Sequence, residues 1–209
     1  MNQQEVWNEI ASPWSKFRKN TLLEVSEFLS DKKGKILDLG CGSGRNMIAN
    51  SNIEYYGVDF SEKMIKLAEK KAQKEKIRAD FFTVDFGKEK LPFKDEFFDS
   101  AIFISTLHCI ECVEERKKAL EELYRVLKKS GEAMITVWNK NQNELAEKLE
   151  AREGFVNWKK ENKNYQRYYY FYNEKELAEL LKNVGFKMIN KQIDNSKHSR
   201  KNLIVYVRK

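Results

Sequence analysis

The chain is poor in the residues that staple small folds or divide long ones. Its 209 residues include three cysteines, two histidines and two prolines. An odd number of cysteines excludes a fully paired disulfide framework and points to a reducing cytosol. Cys109-Ile110-Glu111-Cys112 is a lone Cys-x-x-C pair, and a structural zinc needs about four ligands, so no metal is expected. No apolar run approaches the ~18 residues of a membrane span. The polar start Met1-Asn2-Gln3-Gln4-Glu5 does not read as a signal peptide. A cytoplasmic protein with no membrane contact is expected. With no Gly/Ser or Pro linker and no internal repeat, residues 1–209 read as one domain, near the usual ~100–200 residues.

What charge there is lies unevenly. The formal net charge is +7, made of −1 over residues 1–127 and +8 over residues 128–209. A localised basic surface concentrates polyanions, nucleic acid above all. A surface solubilised by Lys and Glu gives the same composition, and composition alone does not choose between them.

The most informative stretch is Ile36-Leu37-Asp38-Leu39-Gly40-Cys41-Gly42-Ser43-Gly44. It reads as a buried strand ending at an acidic residue, then a glycine turn opening onto a helix that begins over Gly44–Asn50. Glycines at alternating positions let the backbone approach a ligand without a Cβ in the way. A dinucleotide fingerprint places its third glycine one position later, where this chain has Arg45. The spacing therefore favours a nucleotide cofactor without phosphates, S-adenosylmethionine.

Apolar clusters and helical patterns alternate downstream. Strands are expected at 35–39, 55–60, 79–84, 98–105 and 132–138. A helix over 61–76 has Ser61 as its cap, another over 113–127 has Gly131 just beyond it, and Gly185 closes a third over 174–184. Strands at 186–193 and 203–208 end the chain, and residues 5–30 form a helical lead-in. Repeated β-α units with a closing β-β pair predict an α/β fold, a mainly parallel seven-stranded sheet with one antiparallel strand and helices on both faces. Ligands of such sheets sit beyond the strands' carboxyl ends. There Asp38 ends the first strand, Asp59 with Phe60 the second, and Asp85 with Phe86 the third. Asp59 is placed to accept ribose hydroxyls, and Asp85 the adenine amino group with Phe86 against the base. Asp99, at the start of the fourth strand, reads as structural.

Asp38-Leu-Gly-Cys-Gly-Ser-Gly44, Val58-Asp59, Val84-Asp85-Phe86 and Phe98-Asp99-Ser100 together resemble the ordered motifs of class I S-adenosylmethionine-dependent methyltransferases. The resemblance implies their Rossmann-like fold, with Asp38, Gly40, Cys41, Gly42, Gly44, Asp59, Phe60, Asp85 and Phe86 as cofactor residues. A narrower likeness runs through Val6-Trp7 to Arg18, Thr106-Leu107-His108-Cys109, Val137-Trp138 with Gln142, Arg167-Tyr168-Tyr169-Tyr170-Phe171-Tyr172, and Lys201-Asn202. These resemble the tRNA wobble-uridine carboxymethyl methyltransferases, and imply a tRNA anticodon loop as partner and often a small zinc-ribbon activator. Segment 140–172 would then lie on the substrate side. The chain departs from that family at Thr21-Leu22-Leu23, Cys109, Tyr170 and Leu203, which touches the acceptor rather than the cofactor.

Methyl transfer from a sulfonium is an in-line displacement that needs alignment more than acid–base help. A carboxylate, with a pKa near ~4, is already ionised at neutral pH. An anionic acceptor needs holding groups, and Arg18, His108 and Arg167 are the catalytic candidates. The Asn-Pro-Pro-Tyr signature of amino-group methylation is absent. The cysteines read as buried or incidental thiols. Tyr165, Tyr168, Tyr169, Tyr170, Phe171 and Tyr172 among Lys159, Lys160, Lys163 and Arg167 suit stacking on splayed bases, or equally a strand that buries its rings. Alternatives to the tRNA reading are a small-molecule methyltransferase and a cofactor-binding pseudo-enzyme acting as a protein-binding module.

Overall fold

The computed structural model describes residues 1–140, 152–193 and 202–209. Strands β1 (Gly34–Leu39), β2 (Ile53–Asp59), β3 (Ala79–Thr83), β4 (Phe98–Ile104), β5 (Leu127–Val137), β8 (Lys187–Ile193) and β9 (Leu203–Arg208) make one sheet, in the order β3-β2-β1-β4-β5-β9-β8. β9 runs antiparallel to both its neighbours, and the other pairs are parallel. Strand order reverses between β1 and β4, which leaves a crevice at their carboxyl ends. Strands β6 (Glu153–Lys160) and β7 (Lys163–Tyr170) form a separate hairpin.

Helices α1 (Gln3–Phe17), α2 (Leu23–Ser30), α3 (Glu62–Glu75), α4 (Val113–Val126) and α5 (Glu174–Val184) pack around the sheet. Successive strand residues bury to opposite faces. Leu37, Phe103 and Ile135 join Leu120 and Leu123 of α4, whereas Ile36, Ile102 and Met134 join Val25 and Leu29 of α2. Local signals agree with these ends. Asn2 and Glu5 form a capping box, Ser61 Oγ accepts from Met64 N–H, and Gly185 at φ +115° stops α5.

Three expectations need correction. No helix begins at Gly44; residues 42–46 form turns. The Gly44 carbonyl accepts from Met47 N–H at 3.3 Å, a turn bond, and from Lys71 Nζ at 2.8 Å, while that of Arg45 accepts from Lys71 Nζ at 3.3 Å and Thr21 Oγ1 at 2.8 Å. Gly131 does not stop α4, which runs directly into β5. It lies within β5 beside a register shift, where a Cβ would come within 2.9 Å of Leu127. The tyrosine-rich run is no stacking surface: Tyr165, Tyr168, Tyr169, Phe171 and Tyr172 are at most 6% exposed, and Tyr170 donates its hydroxyl to Glu176. Helix α1 covers the hairpin, with Val6 and Ile10 packed on Tyr165. Within the 140–172 segment, residues 141–151 lie outside the described residues, as do His198 and Lys201.

Helix α1 also closes over the crevice. Asn8 Oδ1 accepts from Ser61 Oγ at 2.8 Å and Lys63 N–H at 3.1 Å, Gln4 Nε2 donates to Phe60 O at 2.7 Å, and Gln3 pairs with the β7 backbone. The other end of the sheet holds an aromatic cluster, with the Phe98 ring within 5.4 Å of Tyr56, Phe93 and Phe97. Truncating Phe98 to Ala is expected to lower unfolding free energy by about 3–5 kcal/mol. Denaturant titration checks this, and the folded fraction should bind cofactor with unchanged affinity.

Candidate active site

A cavity of about 620 Å³ opens at the carboxyl ends of β1, β2 and β4, within the ~300–1,000 Å³ usual for small-ligand sites. Of the residues expected there, Gly40, Cys41, Gly42, Asp59, Phe60, Asp85, Phe86, Arg18 and His108 line it, whereas Asp38, Gly44 and Arg167 do not.

The glycine turn is held from three sides. Gly40 and Cys41 donate to Val58 O at 2.7 and 2.9 Å, Thr106 Oγ1 donates to Gly40 O at 3.2 Å, and Gly42 N–H donates to Asp59 Oδ2 at 2.9 Å. A Cβ on Gly40 would meet Thr106 at 2.3 Å. At Gly42, with φ +53°, a Cβ would meet no protein atom within 4 Å, so the turn presents bare backbone to the cavity. Asp59 Oδ1 accepts Ser61 N–H at 2.9 Å. Each carboxylate oxygen keeps a second lone pair for another donor. Burial raises the Asp59 pKa to about 6, opposed by those N–H donors.

Asp38 sits behind the turn, fully buried, with Tyr55 donating its hydroxyl to Oδ2 and no partner for Oδ1 among the described residues. Burial lifts its pKa to about 7. Asp85, where β3 leads into the cavity, is bridged to Lys88 at 2.8 Å, and Phe86 packs edge-on against Phe103.

Across the cavity, His108 is 1% exposed in a 3₁₀ turn (Leu107–Cys109) after β4. Its ring stacks beside Trp138 and Tyr169, which stack on each other at 4.0 Å. Nδ1 accepts the Trp138 backbone N–H at 3.3 Å, which puts the proton of the neutral ring on Nε2. Burial pushes its pKa down to about 3. His108 is therefore a neutral donor rather than a cation. Burial also raises the Cys109 thiol to about 12 and the Cys41 thiol well above its ordinary value. Cys109 and Cys112 donate to separate acceptors, Ser105 O and Glu114, and the described residues contain no cluster of three potential metal ligands.

Arg167 lies one layer back. Its guanidinium is 5.0–5.2 Å from the rings of Trp14, Trp158 and Tyr169. Nη1 donates to the Tyr169 hydroxyl at 2.6 Å, so Arg167 stands behind Tyr169 and Trp14, which line the cavity in its place.

Sequence reasoning missed several lining residues. Arg45, read only as the place of an absent glycine, lines the cavity beside Arg18. Burial first, then the Arg18 charge, lowers its pKa to about 10. Trp138 and Thr106, which entered only through the family resemblance, and Ser105 also line it, and their places at the ends of β5 and β4 were a usable signal. Trp7, Trp14 and Gln4 come from α1, whose docking the sequence does not announce.

The Asp38 shift has a direct test. Its pKa is raised on folding, so the folded protein binds the proton more tightly between about pH 4 and 7 and loses stability as pH rises through that window. Asp38→Asn keeps an acceptor for Tyr55. Relative to wild type it should gain stability at pH 8, and the gain should shrink as pH falls and vanish only below about pH 4 in paired denaturant titrations.

Among known proteins, a family described as a methyltransferase domain matches residues 30–201. The chain is 37% identical over 143 residues to a tRNA (carboxymethyluridine(34)-5-O)-methyltransferase of Arabidopsis thaliana, covering 68% of this chain and 33% of that protein. It spans about a third of the length of the first curated relatives it matches. An uncharacterized protein of Methanocaldococcus jannaschii is 34% identical, covering 88% of this chain and 82% of the other. The solved SAM-dependent methyltransferase of Methanosarcina mazei superposes with a TM-score of 0.77 at 22% identity, covering 90% of this chain and 98% of that one, a likeness of fold. The family match, the seven-stranded sheet and the glycine turn over this cavity agree: the chain belongs to the class I S-adenosylmethionine-dependent methyltransferases.

Proposed function

We propose that the chain methylates the carboxylate of a carboxymethyl group on a tRNA wobble uridine. The observation that carries this reading is the state of His108. The histidine lining the cavity has its pKa pushed by burial to about 3 and its Nδ1 occupied. It can donate a hydrogen bond but does not take up a proton at neutral pH. Asp85 and Glu115 share Lys88, at 2.8 and 4.0 Å. An acceptor that is already an anion fits a site whose histidine does not act as a base. The resemblance to the wobble-uridine enzymes supports the same choice.

The residues fit the cofactor. S-adenosylmethionine supplies an electrophilic methyl group. Asp59 accepts the ribose hydroxyls, Asp85 and Phe86 with Phe60 hold the adenine, and bare Gly42 admits the nucleoside. Gly40, Cys41, Gly44 and Asp38 shape the turn from behind or beside it. Arg45 takes the cofactor's carboxylate, with Asn46 Oδ1, buried and without a donor among the described residues, toward its ammonium. Arg18 and His108 Nε2–H hold the acceptor carboxylate, and Arg167 positions Tyr169. Two neighbouring arginines repel, and a bound anion relieves that repulsion. The single methyltransferase domain, the cytoplasmic setting and a zinc-ribbon activator belong to this proposal. No helix of the described residues is long and apolar enough to cross a membrane. Because the tyrosines are buried, a small carboxylic acid is the second acceptor class.

Labelled methyl transfer to tRNA carrying carboxymethyl-uridine, with and without a zinc-ribbon protein, tests this. A base-labile ester on the wobble nucleoside is expected; transfer confined to small acids would contradict the tRNA reading. Asp59→Ala should weaken S-adenosylhomocysteine binding at least about tenfold, measured by calorimetry. His108→Ala should leave that affinity unchanged while lowering kcat by about 10²–10³.

A further inference from the structure

Burial of the tyrosines leaves open where an RNA loop would rest, and the molecule has another aromatic surface. Phe17, in the last turn of α1, is 62% exposed, and Leu23, across the short connection to α2, is 69% exposed. The Phe17 ring stands at 5.7 Å, edge-on, from Trp158 of β6 and at 6.0 Å from Trp14. Trp14 and Leu22 line the cavity, so this cluster forms its rim.

Cations surround it. The Arg18 guanidinium lies 5.1 Å from the centre of the Phe17 ring and 5.5 Å from that of Trp14, while Arg18 itself lines the cavity. Lys16 and Lys19 flank Phe17 and are exposed. Neither has an ion-pair partner among the described residues. Lys160, next to Trp158, donates to Glu9 O at 2.7 Å and fixes the hairpin to α1. Trp14, Trp158 and Tyr169 are further braced by the buried Arg167 charge behind them.

An exposed aromatic face bordered by cations matches a nucleobase attached to phosphates: the ring stacks on the base and the cations meet the backbone. We propose that Phe17, with Trp14 and Trp158 behind it, is a stacking platform for a base neighbouring the methylated nucleotide. Lys16 and Lys19 take the adjacent phosphates. This rests on the RNA reading above and adds the surface that engages the loop. Its place is at the cavity rim, so a base seated there holds the next nucleotide over Arg18 and the cavity opening.

The test uses an anticodon stem-loop carrying carboxymethyl-uridine and the full chain, with a zinc-ribbon protein if wild type needs one to bind. Stem-loop affinity is read by fluorescence anisotropy and stacking by quenching of tryptophan emission. Phe17→Ala should weaken binding about 10- to 100-fold and reduce the quenching. Phe17→Trp should restore affinity, and S-adenosylhomocysteine affinity should hold throughout. The slope of log affinity against log salt should stay the same in Phe17→Ala and become shallower in the Lys16→Glu/Lys19→Glu double variant, because only the latter removes phosphate contacts. Wild-type binding that is indifferent to Phe17 overturns the platform and leaves the tRNA reading standing. No stem-loop binding by wild type, with or without the zinc-ribbon protein, overturns both. Loss of zinc-ribbon binding alone in Phe17→Ala assigns the surface to a protein and also overturns the platform.

Discussion

The carboxylate of Asp59 ties the site together. One oxygen accepts Gly42 N–H and the other Ser61 N–H, both at 2.9 Å, so a single side chain at the end of β2 fixes the glycine turn after β1 and the start of α3. Many cofactor turns of this kind lean on the helix that follows them. Here the turn's carbonyls bond to Lys71 and Thr21 and no helix follows. The turn is held open from the side, by Asp59 and Val58, with Ser61 in turn bonded to Asn8 of α1. The floor of the cavity, the first turn of α3 and the cover over both are thus one connected hydrogen-bond system.

Burial then sets the chemistry. The same desolvation that raises Asp59 to about 6 and Asp38 to about 7 lowers His108 to about 3. Every one of these groups is pushed toward its neutral form, as expected where water is scarce. The Cys109 thiol stays protonated for the same reason. Arg18 at the end of α1 and Arg45 in the glycine turn line the same cavity. Within a cavity that also holds the Asp59 and Asp85 carboxylates, the side with the two guanidinium groups and the neutral His108 is suited to binding and aligning an anion rather than to taking up a proton. That division suits displacement at a sulfonium by a carboxylate.

The sheet and its strand-end aspartates were readable because alternating β and α patterns fix the register locally, and the switch-point rule converts register into position. Asp59 and Asp85 were found that way. Arg45 was not, because a helix was expected where residues 42–46 form turns, and those turns bond to Lys71, far along the chain. The tyrosine run misled for a related reason. A two-residue period shows which rings share a face but not whether α1 covers that face, and it does. The hairpin partner β6 passed unnoticed because its alternating residues Gly154, Val156, Trp158 and Lys160 have mixed polarity. Arg167 was a candidate holding group from its motif, yet side-chain packing places it behind Tyr169 and outside the cavity lining.

The pH dependence of methyl transfer under saturating cofactor and acceptor is the most direct measurement of whether the acceptor side works without a base. With His108 neutral throughout and the acceptor already ionised, kcat should be level from about pH 6.5 to 9. A kcat that climbs tenfold per unit through that range, and levels off in His108→Ala, would show a proton leaving to His108 and would contradict a carboxylate acceptor.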